Sequence, residues 1–77
     1  MNVIVYSAPG CPFCIIVENF LRKNKIKFKG IDISENAKAK AEMKRKSGQE
    51  SVPVTDVDGK IIIGYDIKKL KEALKIE

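Results

Sequence analysis

Asn2-Val3-Ile4-Val5-Tyr6-Ser7-Ala8-Pro9-Gly10-Cys11-Pro12-Phe13-Cys14 carries the reading of this fold. Residues 2 to 6 are a short apolar run rich in β-branched side chains, which predicts a strand, and Ser7 to Gly10 are turn formers that end it. From Pro12 onward Phe13, Ile16, Val17, Phe20 and Leu21 recur at intervals of three and four, with Glu18, Asn19, Arg22 and Lys23 between them. That spacing predicts a helix. Proline suits the first helical position, where a backbone N–H has no intrahelical partner. Cys11 therefore falls at about the N-cap and Cys14 in the first turn.

A thiolate at a helix N-terminus meets unpaired N–H groups and the positive end of the helix dipole, so ionisation is favoured. Such thiols fall in pKa from about 8.5 to roughly 3.5–7.5. Thiolate is the attacking species in disulfide exchange, which makes Cys11, at the tip, the expected nucleophile and Cys14, one turn inside, the resolving thiol. Other uses of the pair fit less well. Structural zinc needs four ligands, and the chain has two cysteines and no histidine. A static disulfide across so short a loop would constrain the unfolded chain little. A Cys-x-x-Cys pair beside a βαβ pattern reads as redox chemistry.

Working outward, Asn24-Lys25 interrupts the helix, and Ile26, Phe28, Ile31 and Ile33 mark a second strand around residues 27 to 32. Strand, helix, strand at this length implies a parallel pair joined by a right-handed crossover. Ser34 is the expected N-cap of a second helix that runs to Lys46 with Ala37, Ala41 and Met43 along it, and Gly48 stops it. Val52 to Val57 reads as a third strand. Asp58-Gly59 is a two-residue hairpin signal leading into Lys60 to Ile63, so the last two strands are antiparallel. Asp66 then caps a final helix with Ile67, Leu70, Ala73 and Leu74 on one face. The expected fold is α/β, ordered βαβαββα, with a mixed four-stranded sheet flanked by helices and one domain over residues 1–77. Pro53, at a strand entrance, reads from base rates as an ordinary trans proline.

Composition bounds the function. The 77 residues carry a net charge of +5 with 44% hydrophobic content, ordinary for one small domain. No apolar run approaches the ~18 residues of a membrane span, and Val3-Ile4-Val5 is too short for a signal h-region, so the expectation is a cytoplasmic chain with no membrane association. Basic residues cluster at Arg22 to Lys29 and Lys38 to Lys46, but acids are interspersed and the five aromatics fall mostly in apolar patterns. This predicts a solvated basic face and no nucleic-acid partner, although acidic proteins or anionic ligands would be favoured.

Taken together, the strand–turn–Cys11-Pro12-Phe13-Cys14–helix opening, Ser51-Val52-Pro53 before the third strand, and Gly64-Tyr65-Asp66 opening the last helix resemble the glutaredoxin family across nearly the whole chain. Thioredoxins generally carry Gly-Pro between the cysteines, and the short length and Ile63-Gly64-Tyr65-Asp66 look most like the small glutaredoxin-like proteins related to NrdH redoxins. The resemblance implies a thioredoxin-like fold and a monomeric enzyme that reduces protein or glutathione mixed disulfides. Electrons would come from glutathione or a flavoprotein disulfide reductase. It implies no tightly bound cofactor, with glutathione as a co-substrate, and no metal.

The resemblance also implies that Pro53 is cis and faces the dithiol, where the Val52 backbone pairs with a peptide or glutathione, and that Asp66 meets the γ-glutamyl amino group. Pro12, Phe13, Ser51, Gly64 and Tyr65 complete the binding surface, and Lys40 lies near a position where the family often has a side chain reaching the glycine carboxylate of glutathione. Two places depart from the pattern: Ala8 stands where a basic residue is common, and Ile67 where a small polar one is. The alternative within the same resemblance is a [2Fe–2S] carrier in which two chains share a cluster through Cys11 and glutathione, although Pro12 and Cys14 do not match the single-cysteine motif of those relatives.

Overall fold

The computed structural model describes residues 1–76, so Glu77, the last residue of the expected 1–77 domain, lies outside the described residues. The elements are β1 (Val3–Ser7), α1 (Pro12–Lys23), β2 (Lys29–Asp32), α2 (Ala37–Ser47), β3 (Val54–Val57), β4 (Lys60–Ile63) and α3 (Ile67–Leu74). The expected order βαβαββα is the observed one. The strands form one sheet in the order β2-β1-β3-β4. β1 and β2 are parallel, while β3 runs antiparallel to both β1 and β4.

Alternation along β1 divides the interior into two layers, since successive side chains of a strand point to opposite faces. Val3 and Val5 turn toward one face and join Val17 and Leu21 of α1, Leu70, Ala73 and Leu74 of α3, and Val57 and Ile62. Tyr6 turns the other way and packs with Ile33, Ala39, Met43 and Val54 beneath α2. Each helix supplies an inward stripe at helical spacing, which is why the βαβ unit closes as the sequence pattern requires.

Strand directions put every helix start at one end of the sheet. β1 and β2 end there, β3 begins there opposite the end of β4, and the three helices leave from the same side. Among the described residues, no helix is long and apolar enough to cross a membrane.

Boundaries shift in four places, each for a local reason. β1 and β2 occupy Val3–Ser7 and Lys29–Asp32 in place of 2 to 6 and 27 to 32, as set by their mutual register from Ile4↔Lys29 to Ser7↔Asp32. Ser34 is not the cap of α2. Its N–H and hydroxyl both donate to Asp32 Oδ1, at 2.8 and 2.6 Å, in a turn that delays the helix by two residues. Asn36 caps it instead, its side chain accepting the Ala39 N–H at 2.9 Å. β3 begins at Val54, not Val52, because Pro53 has no N–H to offer the ladder. Gly48, with φ of 72°, ends α2 in the left-handed conformation expected of it.

Candidate active site

Cys11 is the N-cap of α1, in extended backbone, with Pro12 at the first helical position. Its Sγ accepts the Cys14 N–H at 3.2 Å, so a sulfur takes the place that a serine or aspartate oxygen holds at most helix starts. The two cysteines form a disulfide with Cα atoms 5.3 Å apart. Cys14 is 2% exposed, whereas Cys11 is only half-buried. The sulfur that solvent and a substrate can reach is therefore that of Cys11.

Pro53 and Gly64 frame the site from the sheet side. The Val52–Pro53 bond is cis, as the resemblance implied and against the base rate for X-Pro bonds. Pro53 is buried, and its carbonyl accepts the Gly64 N–H at 2.8 Å, which joins the entrance of β3 to the exit of β4. Gly64 has φ of 75°, a left-handed conformation that turns the chain from β4 toward α3. Gln49 holds Ser51 from both sides: its Oε1 accepts the Ser51 N–H at 2.7 Å and its Nε2 donates to the Ser51 carbonyl at 3.0 Å. Among the described residues, neither backbone group of Val52 is hydrogen-bonded. Sequence reasoning had no signal for Gln49, whose partners are backbone atoms of a loop.

Aromatic residues form the rim. Phe13 and Tyr65 stack with ring centroids 5.9 Å apart and planes inclined by 18°, although they are 55% and 50% exposed. The buried stripe of α1 is narrower than its run of apolar residues. Cys14, Val17 and Leu21 are buried, but Phe13 and Ile16 are exposed together with Ile15. Phe13 and Ile16 lie off the stripe through Cys14, Val17 and Leu21, and the ring of Phe13 meets Tyr65. Phe13 and Tyr65, both expected on the binding surface, are thus brought together.

Asp66 caps α3 through its Oδ1, which accepts the Lys69 N–H at 3.1 Å. Lys40 is exposed on α2, and among the described residues no hydrogen bond or ion pair ties its ammonium to the dithiol. Ala8 is half-buried, packed against the layer beneath α2. Among the described residues, no group of three or more His, Cys, Asp or Glu side chains is arranged to hold a metal ion.

Beneath α2 lies a charged network that the sequence pattern did not signal. Lys46 Nζ donates to Tyr6 Oη at 2.9 Å and to Asp56 Oδ2 at 2.8 Å, and pairs with Glu42 Oε1 at 3.0 Å, to which Tyr6 Oη also donates at 3.0 Å. Burial opposes the lysine charge, but the bonds to Asp56, Tyr6 and Glu42 prevail and hold its pKa above the ordinary lysine range. The bond from Lys46, with that from Tyr6, pulls Glu42 below the usual carboxylate value, and burial pushes the Tyr6 phenol up. Tyr6 precedes the dithiol loop, so the network fixes α2 to the strand that delivers Cys11.

A family model described as Glutaredoxin matches residues 3–62. The chain is 31% identical over 71 residues to an uncharacterized glutaredoxin-like 8.6 kDa protein in the rubredoxin operon of Clostridium pasteurianum, covering 92% of this chain and 95% of that one. Its backbone superposes on a variant of the thioredoxin-like protein BC3987 with a TM-score of 0.93 at 33% identity, over 99% of this chain and 97% of that one. It superposes on the glutaredoxin of Archaeoglobus fulgidus with a TM-score of 0.88 at 32% identity, over 96% and 86% of the two chains.

Proposed function

This chain belongs to the glutaredoxin family and is, through its Cys11–Cys14 pair, a thiol–disulfide oxidoreductase; on that premise we propose that it reduces protein or glutathione mixed disulfides with Cys11 as nucleophile and Cys14 as resolver. The observation that carries this division of roles is the unequal exposure of two sulfurs one helical turn apart. The Cys11 thiolate, stabilised by the N-terminal N–H groups of α1, attacks one sulfur of the substrate disulfide and expels the other as a thiolate. The Cys14 thiolate then attacks Cys11 Sγ, the mixed disulfide breaks, and the second substrate sulfur leaves. The substrate gains two electrons, its thiolates take up protons, and the protein is left with the Cys11–Cys14 disulfide.

Val52, with both backbone groups unengaged beside the buried Pro53, would pair with the extended segment that flanks a substrate cysteine. Phe13 and Tyr65 would cover its apolar side chains. Ala8 and Ile67 replace two contacts through which the family commonly holds glutathione, and this favours a flavoprotein disulfide reductase as electron donor.

The two sets of roles are separable by experiment. Cys11→Ser should abolish disulfide reduction, while Cys14→Ser should accumulate a mixed disulfide that mass spectrometry detects on Cys11. Full activity in Cys11→Ser would overturn the assignment. A side-by-side assay with glutathione plus its reductase and with thioredoxin reductase plus NADPH identifies the donor, and turnover supported by glutathione alone would refute the flavoprotein.

A further inference from the structure

Thr55 presents a buried hydroxyl that the fold leaves unpaired. It is fully buried on β3, and its Oγ1 has no hydrogen-bond partner among the described residues. A buried polar atom without a partner is uncommon and calls for a reason, because it loses its bonds to water and gains nothing in return. Valine has nearly the same shape and would fill the position without that loss.

Placement narrows what the hydroxyl can meet. Thr55 lies opposite Val5 on one side and Ile62 on the other, and alternation along β3 puts it on the same face as Val57. Val5, Ile62 and Val57 all belong to the layer covered by α1 and α3. The buried residues of α3 are Leu70, Ala73 and Leu74, and those of α1 are Cys14, Val17 and Leu21. Among these six, the sulfur of Cys14 is the one side-chain atom able to accept a hydrogen bond. Height agrees as well. α1 starts where β1 ends and runs back along it, so Cys14, in the first turn, sits over the end of the sheet where β3 begins, and Thr55 is the second residue of β3.

From this we propose that Thr55 is a positioning residue for the dithiol, its hydroxyl unpaired while Cys11 and Cys14 are joined and donating to Cys14 Sγ when they are reduced. The inference rests on the pair cycling between disulfide and dithiol. An external dithiol supplies the two electrons and two protons: its sulfurs become a disulfide, the Cys11–Cys14 bond breaks, and both cysteines become thiols. A free Cys14 sulfur carries more negative charge than a disulfide sulfur, most of all as the resolving thiolate, and is the better acceptor. The hydroxyl thus favours the reduced form relative to an apolar side chain of the same shape.

The test is the equilibrium of the protein with a dithiothreitol redox couple, which needs no substrate and no physiological reductase, so it stands or falls apart from the roles and donor proposed above. Thr55→Val should shift the equilibrium toward the disulfide by about fivefold, or roughly 20 mV for a two-electron couple. Thr55→Ser, which keeps the hydroxyl, should stay within twofold of wild type, and Thr55→Ala should move in the same direction as Thr55→Val should either larger variant pack poorly. Urea unfolding of each redox form completes the cycle: the valine variant should gain stability in the oxidised form relative to the reduced one. An equilibrium within twofold of wild type for both Thr55→Val and Thr55→Ala, equal stability changes in the two redox forms, or a serine shift as large as that of valine would overturn the proposal.

Discussion

At the scale of single residues, the site depends on caps and turns whose chemistry is local. Cys11 and Asp66 each hold a helix start by accepting an N–H three residues on, and both positions were readable from side-chain type and neighbouring pattern. The Phe13–Tyr65 stack was not, because helical spacing says nothing about which distant residue an exposed ring will meet. Gly64 is needed for its φ of 75° and not for space, since an added Cβ would meet no atom within 4 Å. Gly64→Ala should therefore cost only the left-handed penalty of about 1–2 kcal/mol, measurable as a lower urea midpoint with unchanged slope. A much larger loss would mean that the Pro53–Gly64 hydrogen bond had broken as well.

At the scale of elements, α2 is the case where pattern and tertiary contact part. Its alanines and lysines supply helix propensity but only Ala39 and Met43 as buried residues, so apolar packing alone anchors it weakly. The Tyr6–Glu42–Lys46–Asp56 network supplies the rest. Asp56 is 8% exposed, and Lys46→Met leaves this buried carboxylate without its counter-charge, although the Gly59 N–H still bonds its Oδ1; the change should cost about 3 kcal/mol in unfolding free energy. Glu42 gives a pH signature. Its folded pKa lies below the unfolded value of about 4.3, so its contribution is present above that value and is lost as pH falls through the folded pKa. The stability gap between wild type and Glu42→Gln should accordingly be open at neutral pH and close in acid below about pH 4. A gap that widened on acidification would contradict the sign.

At the scale of the whole molecule, a chain of 77 residues has little apolar surface in reserve, and two thin layers share it across one sheet. Leu70 is fully buried in the layer that α1 and α3 form. Leu70→Ala should cost about 2–5 kcal/mol, a large share of the roughly 5–15 kcal/mol that stabilises a domain, and thermal unfolding should show it as a strongly lowered midpoint. The element order, the parallel β1–β2 and antiparallel β3–β4 pairings and the placement of Cys11 at a helix start were determined by the sequence itself, because strand and helix periods, caps, crossovers and hairpin turns are set by residues close together along the chain. Only the tertiary structure decided which atoms from distant segments meet: the Phe13–Tyr65 stack, the Pro53–Gly64 bond and, within the Lys46 network, the bonds from Lys46 to Tyr6 and Asp56. Those contacts join residues separated by 10 to 52 positions, and local pattern carries no information about register across the sheet or about which side chains a helix end leaves uncovered.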